Sequence, residues 1–74
     1  MTTHMDKALS KRISSNIRRL LTAKGWKQEE ISKRSDLDKG NLSRYFAGTR
    51  DYTLLAVQRI AEGLDVDVSE LFKK

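Results

Sequence analysis

Apolar side chains recur along this chain in short blocks of helical period, broken by polar punctuation. Leu9, Ile13, Ile17, Leu20 and Leu21 fall on one stripe of a 3.6-residue repeat and predict a first helix from about Leu9 to Lys24. Lys11, Arg12, Arg18 and Arg19 lie off that stripe, toward water or a partner. Gly25 is placed to end the helix, because glycine enters the left-handed conformation of a C-terminal cap without a Cβ clash. Trp26 follows and is expected to close the core over the next helix, as large rings usually do. A second, short helix is predicted from about Lys27 to Ser35, with Ile31 as its aliphatic anchor and Glu29 and Glu30 favouring its positive end.

Ser35-Asp36-Leu37 reads as a turn, since Ser and Asp hydrogen-bond locally and Asp tolerates left-handed dihedrals. Asp38 is a good N-cap for a third helix, Lys39 to Ala47. Leu42, Tyr45 and Phe46 form the inward face of that helix, and Gly48 stops it. A fourth helix is predicted from about Thr53 to Glu62, its core face made by Leu54, Val57, Ile60, Ala61 and Leu64 and its end closed by Gly63. A fifth begins after Asp67, where Asp67-Val68-Ser69-Glu70 has the spacing of a capping box and Leu71 and Phe72 are the last apolar side chains. The expected architecture is all-α, five short helices joined by tight turns.

Composition narrows the function. The 74 residues permit one domain, with Met1 to Met5 set aside as a disordered segment or expression scar and residues 6–74 as the folded unit. There is no Cys and no Pro, so neither a disulfide nor a thiolate metal site reinforces the core. No run of about 20 apolar residues is present to span a membrane. The net charge of +5 is unevenly placed: residues 7 to 50 carry +8 and residues 51 to 72 carry −4. The basic section sets up a field that attracts polyanions. Catalysis is poorly served, because the lone His4 sits in the excluded segment and no Cys nucleophile or glycine-rich phosphate loop exists. Asp65, Asp67 and Glu70 are better explained by capping of the fifth helix than by a metal. The sequence therefore predicts no enzyme, no metal and no cofactor.

Gly25-Trp26-Lys27-Gln28-Glu29-Glu30-Ile31-Ser32, then Leu37, Leu42-Ser43 and Ala47-Gly48, resemble the phage repressor/Cro (XRE-type) helix-turn-helix family. Ile60-Ala61-Glu62-Gly63-Leu64-Asp65-Val66 and Ser69-Glu70-Leu71-Phe72 resemble its fourth and fifth helices. The likeness runs from about Ile13 to Phe72. It implies a compact five-helix, repressor-like DNA-binding domain with a central helix-turn-helix, whose third helix enters the major groove of double-stranded operator DNA. On that resemblance, Lys39, Gly40, Asn41, Ser43 and Arg44 lie on the base-reading face. Lys and Arg suit guanine O6 and N7, and Asn an adenine edge. Gln28 falls on the family's phosphate-contacting glutamine, with Arg50, Thr53, Lys27 and Lys33 as further phosphate contacts.

The resemblance further implies a homodimer on a two-fold operator, with Leu71 and Phe72 expected at the exposed interface, and a cytoplasmic regulator in a bacterial or phage-infected host, either a repressor that occludes polymerase or an activator that touches it with the acidic half. The alternative is a protein-interaction module, an antitoxin-like helical domain gripping a partner such as a toxin or polymerase. Four positions depart from the family pattern. Lys27 stands where Ser or Thr is common, Asp36 replaces the usual turn glycine, and Gly40 supplies no base-reading side chain. Leu21 and Phe46 occupy the sites of an Arg–Glu pair, which an apolar pair replaces without loss of stability.

Overall fold

The computed structural model describes residues 7–74; the expectation for Met1 to Met5 lies outside them. Four α-helices and a terminal 3₁₀ turn follow in order: α1 (Lys7–Lys24), α2 (Gln28–Ser35), α3 (Lys39–Ala47), α4 (Leu54–Leu64), then Val68–Phe72. α1 starts one half-turn earlier than its apolar stripe, because Lys7 and Ala8 extend the helix at little propensity cost.

The helices close around one core. α1 contributes Ile13, Ile17, Leu20 and Leu21, and α4 contributes Ala56, Val57, Ile60, Ala61 and Leu64. Ile31, Leu42, Tyr45, Tyr52 and Leu71 fill the space between. Each fully buried Ile or Leu adds about 1.5–3 kcal/mol relative to its exposed state. α2 packs on α4, and the 3₁₀ turn packs on α1 and α4.

The joints follow the local chemistry of the chain. At Gly25 φ is +69°, and the Gly25 and Trp26 N–H groups donate to the Thr22 and Leu21 carbonyls, satisfying the end of α1. Trp26 is half-buried against the core, with the Lys24 ammonium 5.0 Å and the Arg34 guanidinium 4.2 Å from its ring centroid. Asp36 adopts the left-handed conformation, φ 59°, and the Ser32 hydroxyl donates to the Leu37 carbonyl at 2.8 Å across the same turn. Leu37 is half-buried against the core, as a residue fixing the α2–α3 angle must be.

Three expectations about the C-terminal third are corrected. Gly63 does not close α4, which runs on to Leu64; Asp65, at φ 59°, caps it instead. Gly63 is buried where α4 crosses the end of α2, and a Cβ there would lie 3.1 Å from the Ser35 nitrogen and 3.2 Å from the Arg34 carbonyl carbon. Its role is close packing. The fifth helix is a 3₁₀ turn. Asp67 caps it by accepting from Ser69 N–H at 3.1 Å, but Glu70 pairs with Lys73 at 2.7 Å rather than completing a capping box.

The third correction concerns Leu71, which is 0 % exposed and belongs to the chain's own core, so it presents no surface to a second chain. Phe72 is half-buried. The exposed large apolar side chains among the described residues are Leu54, Leu55 and Val68. Asn16 explains why the turn can bury Leu71: its side-chain amide donates to the carbonyls of Leu71 (2.9 Å) and Lys73 (2.7 Å). A buried amide thus ties the end of the chain to α1 and satisfies carbonyls that a short helix leaves open.

Candidate nucleic-acid interface

The interface is built from α3 outward. Asp38 starts the helix with extended backbone and a carboxylate that accepts from Gly40 N–H (3.1 Å) and Asn41 N–H (3.4 Å). Leu42 (0 % exposed) and Tyr45 (5 %) anchor one side in the core. The opposite side is left in solvent, with Lys39, Gly40, Ser43 and Arg44 exposed and Asn41 half-buried. The five base-reading candidates are therefore brought together on one short helix. Gly40 has a second function: a Cβ there would approach the Asp38 carboxylate to 3.0 Å, so its smallness leaves room for the cap.

The face is pre-ordered by contacts from its neighbours. Gln28, the first residue of α2, donates from Nε2 to Ser43 Oγ at 3.4 Å. Lys39 Nζ donates to Glu29 Oε1 at 3.0 Å, and this contact holds the Glu29 carboxyl below the usual carboxylate range. Arg50, in the loop after α3, donates from Nη1 to Asn41 Oδ1 at 3.0 Å and lies 5.8 Å from the Tyr45 ring centroid. Tyr45 stacks on Tyr52, ring centroids 4.9 Å apart, and the Tyr52 hydroxyl shares a 2.8 Å hydrogen bond with Ser14. The loop that carries Arg50 is thereby braced against α1. Arg44 takes part in none of these contacts.

The flanking residues take distinct positions. Lys27 precedes α2 with extended backbone and makes no side-chain cap, as expected from its departure from Ser or Thr. Thr53 caps α4, its hydroxyl oxygen accepting from Ala56 N–H at 3.0 Å, which leaves the hydroxyl proton free to donate. Lys33 is exposed in the last turn of α2. Glu29 is a member of this surface that the helical pattern does not reveal, and the Tyr45 ring backs it from the core. Glu29 stands ten residues before Lys39, a separation no helical periodicity links, and only the α2–α3 crossing joins them.

A short helix held upright on two core residues and braced by the preceding helix defines the helix-turn-helix class. The sequence matches the helix-turn-helix family over residues 17–71, and the chain belongs to that family, of the XRE type. It is a DNA-binding transcription regulator. No curated protein matches the chain.

Among solved structures it is similar to the restriction-modification controller protein C.AhdI from Aeromonas hydrophila, 33% identical, covering 82% of this chain and 92% of that one, TM-score 0.74. It is also similar to the controller protein C.Esp1396I, 28% identical, covering 86% and 83% of the respective chains, TM-score 0.78. The hypothetical transcription factor NHTF from Neisseria shares the fold, at 24% identity, 99% and 85% coverage and TM-score 0.80.

Proposed function

We propose that the protein is a homodimeric repressor that binds a two-fold symmetric operator with α3 in the major groove. The observation that carries this reading is the outer face of α3, which presents Lys39, Ser43 and Arg44 to solvent while Leu42 and Tyr45 hold the helix to the core. Lys39, Asn41 and Arg44 read base edges, with Ser43 beside them and Gly40 allowing close backbone approach. Gln28, Arg50, Thr53, Lys27 and Lys33 bind phosphates and set register, because backbone contacts position without specifying.

The second chain docks on the exposed Leu54 and Leu55 at the start of α4, which take the role expected of Leu71. Such a dimer places two recognition helices about 34 Å apart, one turn of DNA. Bound at a promoter in a bacterial or phage-infected cell, it excludes polymerase. Similarity to two restriction-modification controllers supports a regulatory role of this kind.

Selection of bound duplexes from a random pool tests the reading. A two-fold consensus with half-sites one turn apart is the expected result, together with a log–log fall of affinity with salt of slope about −0.9 per phosphate contacted. Retention without consensus and without salt dependence would instead support a protein-interaction module.

A further inference from the structure

The loop after α3 folds back along the helix and brings Arg50 onto Asn41. Gly48, at φ +81°, reverses the chain, and the N–H groups of Gly48 and Thr49 donate to the Tyr45 and Arg44 carbonyls at 3.2 and 3.0 Å. On the other side of Arg50, Tyr52 is buried and stacked on Tyr45. Arg50 is thus held between two anchored points. Its guanidinium lies 5.8 Å from the Tyr45 ring centroid, within cation–π range, and its Nη1 donates to Asn41 Oδ1 at 3.0 Å.

This contact has a polarity. A guanidinium carries N–H donors and no acceptor, so the end of the Asn41 amide that meets it is the carbonyl oxygen. A hydrogen bond from a cation belongs to the stronger class, and exclusion of water strengthens it further. Asn41 is half-buried in the first turn of α3, where its backbone N–H donates to the Asp38 carboxylate. Its amide is therefore oriented, with Nδ2 as the end left to offer a base. An isolated Asn reads adenine with both ends, donating to N7 and accepting from the N6 amino group. Here the accepting end is engaged by a cation. An adenine amino group brought to the same oxygen would face the guanidinium, donor against donor. Guanine presents acceptors at both places, N7 and O6.

We propose that Asn41 and Arg50 form one reading unit that selects guanine. Asn41 Nδ2 donates to the base edge, and Arg50 is the positioning residue that fixes the amide and excludes adenine. The unit rests on α3 entering the major groove, and it replaces the adenine edge expected of Asn41 by itself. The remaining N–H groups of Arg50 stay available to a phosphate, so backbone clamping and base choice are made by one side chain at the same time.

Two measurements on the whole chain test the unit. In free protein, the Asn41 side-chain amide is followed by nuclear magnetic resonance in the parent and in Arg50→Ala. Loss of the 3.0 Å contact is expected to shift both amide protons; unchanged resonances would overturn the unit before any DNA is added. On DNA, the base step addressed by Asn41 is the one that Asn41→Ala flattens in selection from a random duplex pool. The parent is expected to prefer guanine there. Arg50→Ala is expected to lower the guanine-over-adenine ratio at that step about tenfold while preferences at other steps persist, and Arg50→Lys, which keeps a cationic donor, to retain more of the ratio than alanine does.

Any base other than guanine at that step in the parent would overturn the proposal. So would an Arg50→Ala loss spread equally over all sequences, which is the mark of a phosphate contact or of a loosened loop. If Asn41→Ala flattens no step while Arg44→Ala flattens one, Asn41 is no reader and the unit falls with α3 still in the groove. If neither flattens a step, the groove reading itself fails and takes the unit with it.

Discussion

Arg44 and Lys39 are both exposed cations of α3, yet their surroundings assign them different duties. Arg44 is held by no contact across α2 and α3, so its planar fork is available for bidentate pairing with a guanine edge. Arg44→Ala is expected to weaken binding to the selected operator by about 1–3 kcal/mol and to flatten discrimination at one base step. Fluorescence anisotropy across a set of single-base operator variants checks this; an equal loss on every sequence would make Arg44 a phosphate contact.

Lys39 is tied to Glu29, and that ion pair is exposed and so weak in stability terms. Its effect is directional, because the carboxylate draws the ammonium away from phosphates and repels them itself. Glu29→Gln is expected to release Lys39 to the backbone. Affinity for random duplex then rises, with a salt slope steeper by about 1, as measured by salt titration.

At the scale of elements, close approach and buried polar contacts set the arrangement. Gly63 allows α4 to lie against the end of α2, and Gly63→Ala sets helix propensity against overpacking. Alanine gains up to about 1 kcal/mol in a helix interior. Pushing a methyl against backbone atoms costs about 1–3 kcal/mol, and backbone cannot yield as a side chain can. A net loss of stability is expected, read as a lowered urea midpoint with unchanged slope.

Tyr52 joins the α3–α4 loop to α1, and burial pushes its hydroxyl up to about 12 from an ordinary value of 10. Below pH 10 the phenol is neutral in both states. Between 10 and 12 the unfolded chain releases its proton and the folded chain retains it, so stability falls as pH rises through that window, by about 2–3 kcal/mol in all. Denaturant midpoints from pH 8 to 12 are expected to show this fall, and Tyr52→Phe to remove it.

What the sequence made legible divides at this scale. The α3 start was readable at Asp38, because a cap acts within three residues. The core stripes of α1 and α4 were readable because helical period is local, save that Leu54, expected on the core face of α4, stands exposed in its first turn. Gly63 was misread as a terminator because its neighbour, α2, is 28 residues away in sequence at Ser35. Leu71 was misplaced on the surface because the amide that lets its turn pack, Asn16, lies 55 residues earlier. The candidate interface was legible as a set of residues through its family pattern, but the ties that order them, Glu29 to Lys39 and Arg50 to Asn41, exist only after folding.

For the whole molecule, charge and apolar surface are segregated. The cations concentrate in the first 50 residues, whereas Leu54, 79 % exposed, and Leu55, 58 %, stand at the start of α4. Exposed leucines next to one another fit a surface covered in the proposed dimer. The double variant Leu54→Glu/Leu55→Glu is expected to sediment as a monomer and to lose operator affinity far more than half-site affinity, since only the pair of chains spans both halves. Unchanged sedimentation would place the contact elsewhere. Trp26 has a consequence of a different kind. It is the lone indole of the chain, half-buried at the α1–α2 junction beneath two cations and on no part of the α3 outer face. Its emission therefore gives the molecule a built-in optical gauge of whether the two first helices stay docked, one that registers unfolding directly and separates it from losses of affinity that leave the scaffold intact.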